Sequence, residues 1–230
     1  LKKYVFIDNQ NVFDLLSIWI MGTYVFRIFR HYPYVHIQAE KGSGKSHLFE
    51  IIKPLCFNGE MYITPTASTL FRDVNLNSRT LLLDEIEHFR KNNKTEFSGL
   101  MEILNSGYGK SGEVPRSRSG KKGGIEKYKT YSPKMFAGIS DINDTLDSRT
   151  IKIQLKRKLE EEKLQRYIDN QSMLDFHQAL RDDLYNFALH YALEINSRYS
   201  DSKSSNNYLK NFDSRRYDIW APMFFIADVI

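Results

Sequence analysis

"YVHIQAEKGSGKSHLFEII", Tyr34 to Ile52, carries three signals in the order strand, glycine loop, helix. Tyr34 to Ala39 is a short stretch rich in strand-forming residues, and Lys45 to Leu55 reads as the helix that follows it. Between them, Ala39 to Ser46 fits G-x-x-x-x-G-K-[ST], with alanine in place of the first glycine. Gly42 and Gly44 let successive backbone N–H groups curl around phosphate oxygens, and the helix N-terminus adds its positive end. Lys45 is suited to the β- and γ-phosphates and the Ser46 hydroxyl to Mg²⁺. The candidate nucleotide-binding set is Gly42, Ser43, Gly44, Lys45, Ser46 and His47, the last of which equally reads as a packing or solvent-facing residue. A pattern this loose arises by chance in roughly 2% of chains of this length, and the strand-before, helix-after context lowers that several-fold.

Working outward, Thr80 to Glu85 ("TLLLDE") is a continuous apolar run that ends in two acids, as expected of a strand buried on both faces. Asp84 at its C-terminal end is the second candidate ligand of Mg²⁺, and Glu85 is placed to polarise a water toward the γ-phosphate. Taken alone, a strand ending in two acids equally reads as a solvated edge. The acids lie 39 residues beyond Lys45, which leaves room for helix, strand and helix between them. Loop and acids are thus expected on different strands of one sheet. An adjacent glutamate favours ATP hydrolysis over small-molecule phosphorylation.

The remaining pattern alternates. "MYIT" and "MFAGIS" read as strands, as does "TIKIQL"; Ser68 to Val74 and Thr95 to Asn105 read as helices. That order predicts an α/β fold with a parallel sheet. Asn11 to Phe29 reads as a buried helix stopped before Pro33, and Leu159 to Ile168, Met173 to Ile195 and Arg215 onward read as helices, with a polar linker at Ser197 to Asn207. Lys110 to Lys134 holds eight basic residues against Glu113 and Glu126, so this stretch exceeds the net charge of +5 for all 230 residues. With seven glycines between Gly99 and Gly124, it reads as a long loop or hairpin insertion. A near-neutral body with one basic loop points to a localised polyanion contact, although solvated loops share this composition.

A single cysteine excludes a disulfide scaffold and a cysteine-rich zinc site, and fits a reducing, cytoplasmic setting. The most apolar stretch, Leu15 to Phe29, is too short and too charged for a membrane span. The chain begins at leucine and ends in an apolar run, and so reads as a piece of something longer.

Beyond these features, "TPTASTLFR", "TLLLDEIEHF", "LNSGYGKSGEVPR", "MFAGISDINDTLDSRTIKIQL" and "SRRYDIWAPMFFIAD" resemble the AAA+ ATPases of MCM-like replication helicases carried by plasmids, prophages and chromosomal islands. The resemblance implies an AAA+ P-loop NTPase αβα sandwich with a five-stranded parallel sheet and a helical lid. It divides the chain into an N-terminal helical segment (1–33), a core (34–158) with the basic insertion at 107–131, and a lid (159–230). It further implies a homo-oligomer, a hexameric ring, with ATP between subunits. In that family's terms Lys45 and Ser46 are the Walker A pair, and Asp84 and Glu85 the Walker B pair. Ser140, with Asp141 as the near alternative, is the polar sensor of the attacking water. Arg149 is the arginine finger that reaches a neighbour's γ-phosphate; its other reading is an ion pair with Asp147 or Asp144. Arg215 or Arg216 is the lid arginine, and the spacing to Asp218 and Trp220 favours Arg215. The basic insertion supplies Lys110, Arg116, Arg118, Lys121 and Lys122 to single-stranded DNA. Three functions remain in view: a DNA-coupled motor, a nucleotide-dependent switch or loader without unwinding, and a P-loop kinase, which would not need a neighbour's arginine.

Overall fold

Strands that are apolar on both faces belong between two layers of helices. The computed structural model describes residues 1–40, 42–86, 94–117, 124–138, 144–157, 164–168, 170–201 and 209–230. Its strands in chain order are β1 (Tyr34–Ala39), β2 (Gly59–Tyr62), β3 (Thr80–Leu83), β4 (Glu113–Ser117), β5 (Ile125–Lys129), β6 (Lys134–Gly138) and β7 (Thr150–Leu155). The helices are α1 (Asn11–Gly22), α2 (Lys45–Ile52), α3 (Ala67–Asn77), α4 (Lys94–Ser106), α5 (Asp144–Asp147), α6 (Gln171–Asp201) and α7 (Ser214–Ala227). Five strands form one sheet in the order β2-β3-β6-β1-β7, with every pair parallel. The central β3 and β6 are buried throughout, whereas on the edge strand β7 Lys152 and Gln154 are exposed between buried neighbours.

The two-residue alternation of each strand sorts its side chains into two cores. Val35 and Ile37 of β1, Leu82 of β3, and Met135 and Ala137 of β6 face one layer, where they meet α1, α2, α6 and α7. Tyr34, Leu81, Leu83 and Phe136 face the other, against α3 and α4. This is a three-layer α/β sandwich with a helical C-terminal region, in agreement with the sequence reading. Among the described residues no helix is long and apolar enough to cross a membrane.

Several boundaries differ from the sequence reading. The first helix ends at Gly22 rather than Phe29, followed by a 3-10 turn at Phe26–Ile28. Thr23 diverts the chain: its hydroxyl donates to the Ile20 carbonyl at 2.6 Å and accepts the Phe57 N–H at 2.9 Å. A methyl group on Gly22 would lie 2.1 Å from the Tyr32 hydroxyl, so only glycine fits there. Residues 164–168 are not helical; Gln165 donates its N–H to the Lys3 carbonyl, and the Tyr167 ring meets that of Tyr4 edge-on. The helix expected to end at Ile195 continues to Asp201, where Arg198 bonds Glu194 one turn back and Asp228 beyond α7.

The basic insertion contains an antiparallel hairpin, β4 with β5, in the register Val114↔Tyr128 and Arg116↔Glu126. Lys134, which composition assigns to the basic stretch, instead opens β6 and is fully buried. Its Nζ donates to the carbonyls of Thr130 (2.8 Å), Ser132 (3.1 Å) and Gly107 (3.4 Å) and to Ser132 Oγ (3.1 Å), so it clamps both ends of the insertion to the sheet. Burial holds this amine well below the ordinary lysine range.

Candidate functional site

β1 delivers the glycine loop at its C-terminal end, and β3 delivers Asp84 at the same end of the sheet, two strands away. Gly42 and Gly44 have φ of +82° and +89°, a region that residues with a Cβ rarely adopt, and so the loop can double back into α2. Ser43 shapes this turn, donating its N–H (3.3 Å) and hydroxyl (2.7 Å) to the Glu40 carbonyl. Lys45 Nζ rests on the Ala39 carbonyl at 2.9 Å. Ser46 Oγ donates to Asp84 Oδ2 at 2.6 Å, joining the loop to the acidic strand. Asp84 is buried, and its Oδ1 accepts the N–H of Glu85 at 2.9 Å. Glu85 itself is left-handed at φ +52°, so the extended conformation of the strand does not continue through it.

A strand, a glycine loop and a helix lie beside a buried acid in a five-stranded parallel sheet. The fold is a three-layer α/β sandwich in which the glycine loop and the acid meet at one end of the parallel sheet. Ser46 and Asp84 offer hard oxygen donors in direct contact, a donor set that suits Mg²⁺, and the Gly42–Gly44 cradle suits phosphate oxygens. His47 turns to Glu50 (Nδ1 to Oε2, 3.4 Å) and to the edge of Tyr167.

A second cluster lies at the opposite end of the sheet. Arg149 precedes β7, and its carbonyl accepts the N–H of Tyr34, the first residue of β1. At the rise of an extended chain, β1 carries its far end roughly 17 Å away from Tyr34. Arg149 Nη1 donates to the Asn105 carbonyl at 2.7 Å, and its guanidinium lies 5.4 Å from the Tyr108 ring centroid. Asp147 is held instead by Lys152 at 2.6 Å. Tyr108 also stacks on His31, whose Nδ1 lies 3.1 Å from Asp218 Oδ1. Burial first, then Asp218, raises the Tyr108 hydroxyl well above the ordinary phenol range, while Arg215 and Arg149 nearby oppose this. Arg149 thus lies over the Tyr108 ring, and Arg215 acts electrostatically on its hydroxyl. Asp213 caps α7 by accepting the Arg216 N–H on Oδ1 at 2.8 Å, and the Arg216 side chain lies 3.8 Å from the same carboxylate.

On the hairpin, Arg116 forms a two-point contact with Glu102 (3.1 and 2.5 Å) and lies over the Phe71 ring at 4.2 Å. Lys127 faces Glu113 at 3.6 Å, and Lys110 is exposed. Arg118, Lys121, Lys122, Ser140 and Asp141 lie outside the described residues. The sequence reading passed over Tyr108 as a platform for Arg149, and it passed over His31 as the neighbour of that ring. No local pattern encodes either contact, since both join residues distant in sequence.

No family model and no curated protein matches the chain. Among solved structures it is similar to the apo A form of the NrS-1 C-terminal region (12% identity, TM-score 0.39, 99% of this chain and 68% of that one). It is also similar to the JCV helicase in its X-ray structure (12% identity, TM-score 0.40, 93% of this chain and 60% of that one). The chain thus spans less than two thirds of the JCV helicase. At such identities and superpositions, the chemistry of this site rests on its own geometry.

Proposed function

We propose that this chain is the ATP-hydrolysing AAA+ motor module of an oligomeric DNA helicase or replication initiator of a mobile element. The observation that carries the reading is the 2.6 Å contact between Ser46 Oγ and Asp84 Oδ2, which brings the two phosphate-site motifs together. In this reading the glycine loop and Lys45 bind the phosphate chain, with Lys45 exchanging the Ala39 carbonyl for phosphate oxygens. Ser46 and Asp84 hold Mg²⁺, which supplies Lewis-acid charge to those oxygens when bound. Glu85 accepts the proton of the attacking water on its carboxylate, and Ser140 orients that water.

Arg149 completes the site of a neighbouring subunit. Its position at the far end of β7 supports this, because the separation from its own loop exceeds the span of one arginine side chain. That Arg149 and Arg215 both act on Tyr108 supports a lid arginine that works at the same interface. The division into segments 1–33, 34–158 and 159–230, the hexameric ring and the cytoplasmic setting belong to the same proposal. Single-stranded DNA is contacted through the basic insertion, by Lys110, Lys121 and Lys122, with Arg116 and Arg118 in support.

One observation favours the second reading, a switch or loader that assembles without unwinding: Glu102 and Glu113 neutralise Arg116 and Lys127 within the chain. The two are separated by the ATPase rate per subunit against protein concentration, with and without single-stranded DNA at low salt. A rate that rises with both is expected of the motor. A rise with concentration alone assigns the switch. Indifference to both returns Arg149 to a structural role and the chain to the monomeric P-loop enzymes.

A further inference from the structure

We infer that His31 is a positioning residue for the two interface arginines: it holds the first turn of α7, which carries Arg215, in register with Arg149. The inference rests on the roles proposed above for Arg149 and Arg215. A short antiparallel ladder with the root of the basic insertion fixes the His31 backbone. The Tyr32 N–H donates to the Tyr108 carbonyl at 3.3 Å, the Lys110 N–H donates to the Arg30 carbonyl at 2.9 Å, and His31 itself pairs with Gly109. From α6, the Tyr199 hydroxyl accepts the Arg30 N–H at 3.3 Å.

From this anchored backbone the imidazole makes two contacts. Its face stacks on Tyr108, with ring centroids 4.9 Å apart and planes 14° from parallel, and the Arg149 guanidinium lies over that same tyrosine. Its Nδ1 lies 3.1 Å from Asp218 Oδ1 on α7. Asp218 stands three residues beyond Arg215, so the two share one face of the helix. Apolar burial anchors only the later part of α7: Met223, Phe225 and Ile226 are buried, whereas Ser214, Arg215 and Arg216 of the first turn are exposed. Apolar packing is non-directional, and an exposed turn opens locally at little cost. The contact between His31 and Asp218 is directional and largely shielded from water, so it sets where that turn sits against Tyr108. Arg149 and Arg215 reach this place on separate elements. Two guanidiniums that act on one phosphate need their spacing held to within about half an ångström, and a group touching the platform of one and the helix of the other does that.

The test is single-turnover ATP hydrolysis and equilibrium ATP binding by the wild-type chain, H31F, D218N, the double variant H31F/D218N and R149A. Protein concentrations are set where the wild-type rate per subunit no longer rises. H31F keeps a ring to stack on Tyr108 and loses Nδ1; D218N keeps the shape and loses the charge. Each is expected to bind ATP as the wild type does and to hydrolyse it about tenfold or more slowly. The double variant is expected to be no slower than the single ones, because both remove one contact. Losses that add in the double variant, or an ATP affinity that falls as far as the rate, make the role merely structural and overturn the inference. Wild-type hydrolysis by H31F and D218N beside an inactive R149A overturns it and leaves the interface arginines standing. Wild-type hydrolysis by R149A removes the arginine roles themselves, and the inference with them.

Discussion

Glu85 is held at φ +52° by the bond from its N–H to Asp84 Oδ1, and a non-glycine residue in that region costs about 1 kcal/mol or more. Strain of this kind persists where the surroundings over-determine it, and here it accompanies the residue proposed as the base. Glu85→Gln keeps the shape and removes the basic carboxylate. It should bind ATP with near-normal affinity and turn it over at least about 100-fold more slowly, as single-turnover hydrolysis would register. Wild-type turnover would remove the role. Lys134 illustrates a residue that composition misassigns, since a lysine in a basic run reads as solvated. Four oxygen acceptors make it a clamp instead. Lys134→Met removes the desolvation cost of a buried amine but strips three carbonyls of their donor, and the second effect should prevail, lowering stability by about 2 kcal/mol in urea denaturation.

The hairpin was legible as an insertion from its glycines and lysines, but not its internal charge pairing. Glu102 belongs to α4 and Arg116 to β4, and only packing of the hairpin on that helix brings them to 2.5 Å. Glu102→Gln should release the Arg116 guanidinium. If the hairpin contacts DNA, affinity for a labelled oligothymidine should rise a few-fold at low salt, with a salt dependence steeper by about one charge in anisotropy titrations. An unchanged salt slope would take Arg116 out of the DNA contact. The first helix makes the complementary point about boundaries. Its apolar residues run past Gly22, so periodicity alone carries it to Phe29. The helix stops where the Thr23 hydroxyl finds a partner in Phe57, 34 residues away.

The parallel sheet separates Arg149 from the glycine loop by the length of a strand, and this predicts complementation between subunits. Arg149→Ala and Glu85→Gln should each be nearly inactive in ATP turnover. Mixed under conditions in which subunits exchange, they should recover activity, because an intact Glu85 on one subunit then faces an intact Arg149 on the next. Absence of recovery in exchanging mixtures would confine Arg149 to its own chain. The Tyr108 platform gives this arrangement a physical basis, since Arg149 from the start of β7 lies over its ring and Arg215 of α7 acts electrostatically on its hydroxyl.

Local chemistry was enough to single out Lys45, Ser46, Asp84 and Glu85 as candidates. A glycine loop, a helix start and a buried strand end are each encoded within a few neighbouring residues, by backbone freedom and by continuous apolarity. The sandwich itself was also readable, because alternating helix and strand patterns leave a parallel sheet as the way to bury strands on both faces. The contacts that cross the fold were not readable: Ser46 with Asp84, Arg149 and Arg215 with Tyr108, Arg116 with Glu102, Lys134 within its ring of oxygens, and His31 with Asp218. Each depends on strand order and on helix placement against the sheet. Those are set by the packing of distant side chains into two shared cores, and no local periodicity carries that information.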